Sequence, residues 1–277
     1  MKTLKDKTAV ITGAGSGIGR AIALALADAG TQVVVADIHA DTAQSVADEV
    51  QSRGVRSLAV TCDVADHASV ANLAEQAYAT FGAVDILCNN AGISWRPFRG
   101  VVDATLDDWR FVLGINLWGV LNGVDVFLPR MRKQTGEKHI VNTASLASLF
   151  PHEGHAPYSA SKAAVASLSE VMARELKPYG FGVTILCPGA VTTNLGENTS
   201  RIRGDAKQQD QRVFEPVDTP TIKRMHEFAL PSAEPLGVMV RNAILDNTMY
   251  LHTNALPFDL VAERVNTWFG PQTVGKA

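Results

Sequence analysis

Cysteine is scarce in this chain of 277 residues: Cys62, Cys88 and Cys187 are all there are. An odd number at such wide spacing excludes a disulfide framework and offers no paired zinc-ligand pattern, so no metal site is expected and a reducing compartment suits it. Aromatic residues are few, at 6%, and neither sign of charge dominates, with 25 basic against 28 acidic side chains. That balance provides no basic field for nucleic acid or for an anionic membrane surface. An uninterrupted apolar run of about 18 residues is lacking. The opening Met-Lys-Thr-Leu-Lys-Asp-Lys also lacks the apolar stretch of a signal peptide. A soluble cytoplasmic protein with neither nucleic acid nor membrane as partner is the expectation.

What the sequence has in quantity is apolar residues, at 46%, and 22 glycines. They fall into a recurring alternation. Apolar runs at 9–11, 33–36, 57–61, 85–88, 139–143 and 183–187 alternate with helical stretches at 18–29, 41–53, 67–80, 105–133 and 157–179. The runs are continuously hydrophobic rather than alternating in polarity, as strands covered on both faces should be. Strand–helix alternation predicts an α/β protein built of βαβ units on one parallel sheet with right-handed crossovers. Thr105, Leu106, Asp107 and Asp108 resemble a capping box at the start of the fourth long helix. Residues 194–235 are polar, charged and proline-bearing, and a long insertion at that point predicts a lid over a binding site. Residues 236–277 read as an extension with a strand at 248–252 and a helix at 258–269.

Between the first strand and the first helix, Gly13, Gly17 and Gly19 punctuate the turn, with Ser16 and Ile18 among them. Glycine tolerates positive φ and lets backbone approach a ligand closely. The N-terminus of the helix offers free N–H groups and the positive end of its dipole to a pyrophosphate. Asp37 ends the second predicted strand, where a carboxylate can accept both hydroxyls of an adenosine ribose and repel a 2′-phosphate. Helix capping or simple solvation is its other reading. Neither Arg nor Lys follows at 38 or 39, so the balance favours NAD over NADP. Asp63 and Val64, then Asn90, Ala91 and Gly92, fall at the ends of the next two strands, on the same carboxyl edge.

Tyr158 and Lys162 stand four residues apart on one helical face. A phenol titrates near 10, too high for a base at neutral pH, and an adjacent cation depresses it. Ser145, just past the fifth strand, can hold a substrate oxygen while charge develops on it, or can serve as a cap. Asn116 interrupts an apolar helix, which implies a kink or a buried polar duty.

The residues 12–19, 89–92, Asn116, Ser145, Tyr158, Lys162, Pro188 and Gly189 together resemble the short-chain dehydrogenase/reductase family in order and spacing. That resemblance implies a single Rossmann-like, doubly wound domain spanning 1–277 with about seven parallel strands and helices on both faces. It implies catalysis by Asn116, Ser145, Tyr158 and Lys162, with hydride exchanged between an alcohol or ketone and the cofactor NAD. Tyr158 would move the proton, Ser145 orient the oxygen, Lys162 lower the phenol and hold the ribose, and Asn116 anchor a relay water. Ile18, Asp63, Val64, Val191 and Thr193 fall at its cofactor contacts. The stretch 116–131 and the tail 246–251 look like the branch containing bacterial Cα-dehydrogenases of lignin-derived aryl ethers, which implies an aromatic substrate. A homodimer through 105–133 and 157–179, or a homotetramer, is the family's expectation. This tail lacks the glycine-rich ending of many tetrameric relatives, which favours the dimer.

Around the four residues, Trp95, Leu146 and His155 are substrate-contact candidates, with Arg96, Phe98, Phe150 and His152 near them. The charged residues of 201–224 read as a solvated face. Two other functions stay open: an NADP-dependent carbonyl reductase, and a dinucleotide-binding regulator that performs no chemistry. Asp37 argues against the first, and the presence of all four catalytic residues against the second.

Overall fold

A computed structural model describes residues 1–95, 100–151, 153–204, 230–254 and 258–270. Seven strands, β1 (Thr8–Thr12), β2 (Gln32–Asp37), β3 (Ser57–Thr61), β4 (Ile86–Asn89), β5 (Lys138–Thr143), β6 (Phe181–Cys187) and β7 (Tyr250–His252), make one sheet. Their order is β3-β2-β1-β4-β5-β6-β7 and every neighbouring pair is parallel. The fold is thus Rossmann-like and α/β, with the winding reversing between β1 and β4. In such sheets the crevice for a ligand opens beyond the carboxyl ends at that reversal.

The helices of the described residues are α1 (Gly17–Ala27), α2 (Ala40–Gln51), α3 (His67–Phe81), α4 (Leu106–Leu113), α5 (Gly119–Met131), α6 (Ala156–Glu175), α7 (Leu195–Arg203), α8 (Glu234–Asp246) and α9 (Phe258–Phe269). Side chains alternate across each strand, and the two cores follow that rule. Ile11, Val33, Val35, Ile86 and Cys88 pack with Ile22, Leu26, Val46, Val240 and Ile244 on one face. Val10, Val34, Ala36, Leu87 and Ile140 pack with Leu73, Ala77, Phe127 and Met131 on the other. Burial on both faces is why these strands read as continuous apolar runs.

The helix expected at 105–133 is continuous but not uniform. Thr105 and Asp108 form the capping box: Asp108 N–H donates to Thr105 Oγ1 at 3.2 Å, and Thr105 N–H to Asp108 Oδ2 at 2.9 Å. Between α4 and α5 the chain makes a π-helical turn, Gly114–Trp118, centred on the fully buried Asn116. The stretch Leu106–Met131 is long and apolar enough to cross a membrane by length and composition. Its apolar side chains Val112, Val120, Phe127 and Met131 are instead buried inside the protein.

Two helices depart from expectation. The stretch 194–235 contains α7, and α8 precedes the strand of the tail; residues 205–229 lie outside the described ones. The signal for α8 was present, since its buried Leu236, Val240, Ala243 and Ile244 follow helical spacing after a proline at the first turn. α8 lies tightly on α1: a Cβ on Gly237 would stand 2.1 Å from the Ala21 carbonyl oxygen.

Candidate active site

The turn after β1 takes the shape its glycines allow. Gly13 and Gly17 have φ of +63° and +53°, values that side-chain-bearing residues rarely adopt. Gly19 is required for closeness: a Cβ there would meet the Gly13 carbonyl oxygen at 2.1 Å. Ser16 begins α1 without capping it by its side chain, and the first turn has no acidic residue. The leading N–H groups of α1 therefore face the crevice, a good seat for an anion.

Thr12 and Asn90 brace this turn against β4. Thr12 Oγ1 accepts the N–H groups of Asn90 and Ala91 at 3.0 and 3.1 Å, and Asn90 Nδ2 donates to the Thr12 and Gly13 carbonyls at 3.0 and 3.3 Å. Thr143 Oγ1 donates to Asn90 Oδ1 at 3.2 Å, joining β5 to the same brace. Thr12 was read only as the first residue of the glycine segment and Thr143 only as a strand end, because a threonine there carries no pattern that marks it as a brace.

Asp37 lies at the end of β2 with Oδ2 accepting Gly15 N–H at 2.9 Å and Oδ1 accepting His39 N–H at 3.1 Å. It lines one cleft with Gly13, Ser16, Gly17, Ile18, Gly19, Asp63, Val64, Asn90, Ala91, Gly92, Pro188, Gly189, Val191 and Thr193, and at the far end, beyond β5, with Ser145, Tyr158 and Lys162. The void is about 1180 Å³, open solvent at its mouth included. Cys62 also faces it, but burial pushes that thiol up to about 11, so it stays protonated and inert at neutral pH. All three cysteines are free and buried. No cluster of potential metal ligands occurs among the described residues.

At the far end, Asn116 Oδ1 accepts Ile93 N–H at 2.8 Å, and its Nδ2 donates to the Ile93 carbonyl and Ser161 Oγ at 3.0 and 3.2 Å. This pinning holds the π-turn in place. Ser145 ends the β5 loop, its Oγ accepting Ala147 N–H at 3.1 Å and touching the Tyr158 hydroxyl. Lys162 is buried, its Nζ donating to the Thr143 carbonyl at 2.8 Å and standing 5.7 Å from the Tyr158 ring centre. Burial pulls the Lys162 ammonium down to about 8.

The expected depression of Tyr158 by Lys162 does not appear. Burial holds the phenol above its ordinary value, opposed only by the Ser145 hydroxyl. The ammonium is tied to the Thr143 carbonyl at 2.8 Å and stands 5.7 Å from the phenol's ring centre.

Three substrate-contact candidates sit behind the wall of the cleft rather than on it. Trp95 is 1% exposed in a cluster with Ile93 and Val112, and Leu146 packs with Phe150 and Val165. His155 is buried against Tyr158 itself, with ring centres 4.4 Å apart and planes at 19°. Each follows or precedes a strand-end turn that folds it back onto the core. Arg96, Phe98 and His152 lie outside the described residues. The cleft's apolar end is made instead by Ile93, Ile115, Leu195 and Ile202.

α7 is fastened at three points. Asn198 Nδ2 donates to Ser16 Oγ at 3.2 Å, Ser94 N–H donates to Thr199 Oγ1 at 3.0 Å, and Arg203 pairs with Asp108. Arg203 was expected in a solvated face; its side chain is 12% exposed and Asp108 is fully buried. Only the fold reveals a partner 95 residues distant.

The arrangement suits a dinucleotide: an open helix N-terminus for its pyrophosphate, a carboxylate for its ribose, and a phenol, hydroxyl and ammonium at the other end. The profile of the family described as short chain dehydrogenase matches residues 7–203. C alpha-dehydrogenase of Sphingobium sp. (strain SYK-6) is 31% identical over 270 residues, covering 97% of this chain and 86% of that protein. The 1-deoxy-11-beta-hydroxypentalenate dehydrogenase of Streptomyces exfoliatus is 34% identical over 201 residues, 73% of each. A crystal structure of a short chain dehydrogenase/reductase from Burkholderia phymatum in complex with NAD has a TM-score of 0.84 and 33% identity, over 97% of this chain and 95% of that one. By profile, sequence and fold alike, the chain belongs to the short-chain dehydrogenase/reductase family, with a resemblance to its Cα-dehydrogenases.

Proposed function

We propose that the chain is an NAD-dependent oxidoreductase that exchanges a hydride between a small-molecule secondary alcohol or its ketone and nicotinamide. The observation that carries this is the single cleft with Asp37 at one end and Ser145, Tyr158 and Lys162 at the other. Bound NAD supplies the hydride acceptor. Tyr158 accepts the alcohol proton at its phenol oxygen during oxidation and returns it during ketone reduction. Ser145 donates its hydroxyl to the same substrate oxygen as charge develops there. Lys162 stabilises the phenolate and would help hold the cofactor's ribose, and Asn116 keeps the neighbouring backbone in register.

The apolar end formed by Ile93, Ile115, Leu195 and Ile202 supports a hydrophobic alcohol. The likeness to a C alpha-dehydrogenase supports a benzylic one. We further read residues 1–277 as one catalytic domain with 194–235 as substrate lid, cytoplasmic, and dimeric through α4–α5 and α6. The test is a screen of NAD and NADP reduction across aliphatic, steroid, sugar and aryl secondary alcohols. Turnover with NAD on apolar alcohols is expected, and absence of turnover with every class would contradict the reading. In the same assay Asp37→Ala should erode the preference for NAD over NADP; an unchanged ratio would make Asp37 structural.

A further inference from the structure

His155 occupies the position that begins α6, yet its side chain makes no capping bond to that helix. Its imidazole is instead laid on the Tyr158 ring, centre to centre 4.4 Å and within 19° of parallel. Only 7% of His155 is exposed. Nε2 faces Ser94 Oγ at 3.4 Å, and Ser94 N–H donates to Thr199 Oγ1 of α7 at 3.0 Å. Tyr158 also packs against the cluster of Ile93, Trp95 and Val112.

A phenol works as an acid or base only when its oxygen is held within a fraction of an ångström of the reacting one. The Tyr158 ring turns about two side-chain bonds, and neither the Ser145 hydroxyl nor Lys162, 5.7 Å from the ring centre, fixes its plane. A flat neighbour pressed along one face does fix it. We propose that His155 is a positioning residue for Tyr158: it clamps the plane of the phenol and is itself held from the α7 side by Ser94. This rests on the reading of Tyr158 as the acid/base. His155 is not among the residues that line the cleft, so its influence falls on the chemical step and not on binding.

The experiment compares His155→Leu, which keeps bulk without a plane, His155→Phe, which restores a plane without ring nitrogens, and Tyr158→Phe. Each is assayed with NAD and every secondary alcohol the unaltered protein oxidises, with NADH affinity followed by fluorescence. His155→Leu should lower kcat about ten- to hundredfold while KM and NADH affinity stay within about threefold. His155→Phe should recover most of that loss. Should the leucine variant fail to fold, His155→Gln takes its place. A kcat in the leucine or glutamine variant within about threefold of the unaltered protein would overturn the proposal. So would a phenylalanine variant as slow as the leucine one, or a loss confined to KM. Full turnover by Tyr158→Phe would overturn the tyrosine reading instead, a result distinct from these.

Discussion

Lys162 is an ammonium buried to 4% exposure whose one hydrogen bond from Nζ goes to the Thr143 carbonyl. Its pKa falls from 10.5 to about 8 because burial penalises the charge. Between those values the unfolded chain keeps a proton that the folded one releases, so the unfolded state binds more protons. Stability from this group therefore rises with pH across that interval and is lowest below it. Lys162→Met should remove the increment: the urea midpoint of the parent should climb relative to the variant from about pH 8 to about 10. Parallel slopes would show that the ammonium is already compensated. Lys162 thus costs stability at neutral pH, as expected of a group placed for chemistry rather than for packing. The same burial keeps the Tyr158 phenol protonated at neutral pH. That form donates a proton to a ketone, while alcohol oxidation needs the opposite shift.

Helix α4 shows what elements add to residues. Its capping box at Thr105 and Asp108 was legible in the sequence because capping is local chemistry. The ion pair of Asp108 with Arg203 was not, because nothing in 201–224 marks one arginine as destined for a buried carboxylate. Asp108→Ala removes the carboxylate half of the capping box and leaves Arg203 without that carboxylate. The variant should lose about 3 kcal/mol, read as a lower denaturant midpoint. It should also loosen α7, which the Arg203 pair, Thr199 and Asn198 hold. A loss below about 0.5 kcal/mol would mean the pair is solvent-screened. The same contrast runs through the fold. Strands β1 to β6 were legible from continuous apolar runs, and the glycine turn from its spacing. Asn116 was legible as an anomaly, which the structure resolves as a π-turn. α8 went unread because its apolar stripe follows a polar, proline-bearing stretch. Trp95, Leu146 and His155 were legible as neighbours of the site but not as buried ones, since burial is decided by how loops fold back.

For the whole molecule, the sheet brings residues from Gly13 to Thr193 onto one carboxyl edge, and the switch between β1 and β4 opens the cleft there. The opposite concern is what the helices leave uncovered. Trp118 is 59% exposed in the π-turn, Leu106 70% at the start of α4, and Val171 44% on α6. Large apolar side chains left exposed on adjoining helices suit a subunit interface. For the dimer proposed through α4–α5 and α6, Trp118→Glu should yield a monomer in light scattering after gel filtration, and an unchanged mass would exclude this face. Chemistry at the cleft depends above all on the Tyr158 phenol. NADH formation from the best secondary alcohol is measured for the parent and for Tyr158→Phe, with NAD binding measured on both. In Tyr158→Phe kcat should fall by about 10²- to 10⁴-fold while NAD affinity persists. Undiminished turnover in the variant would contradict that dependence.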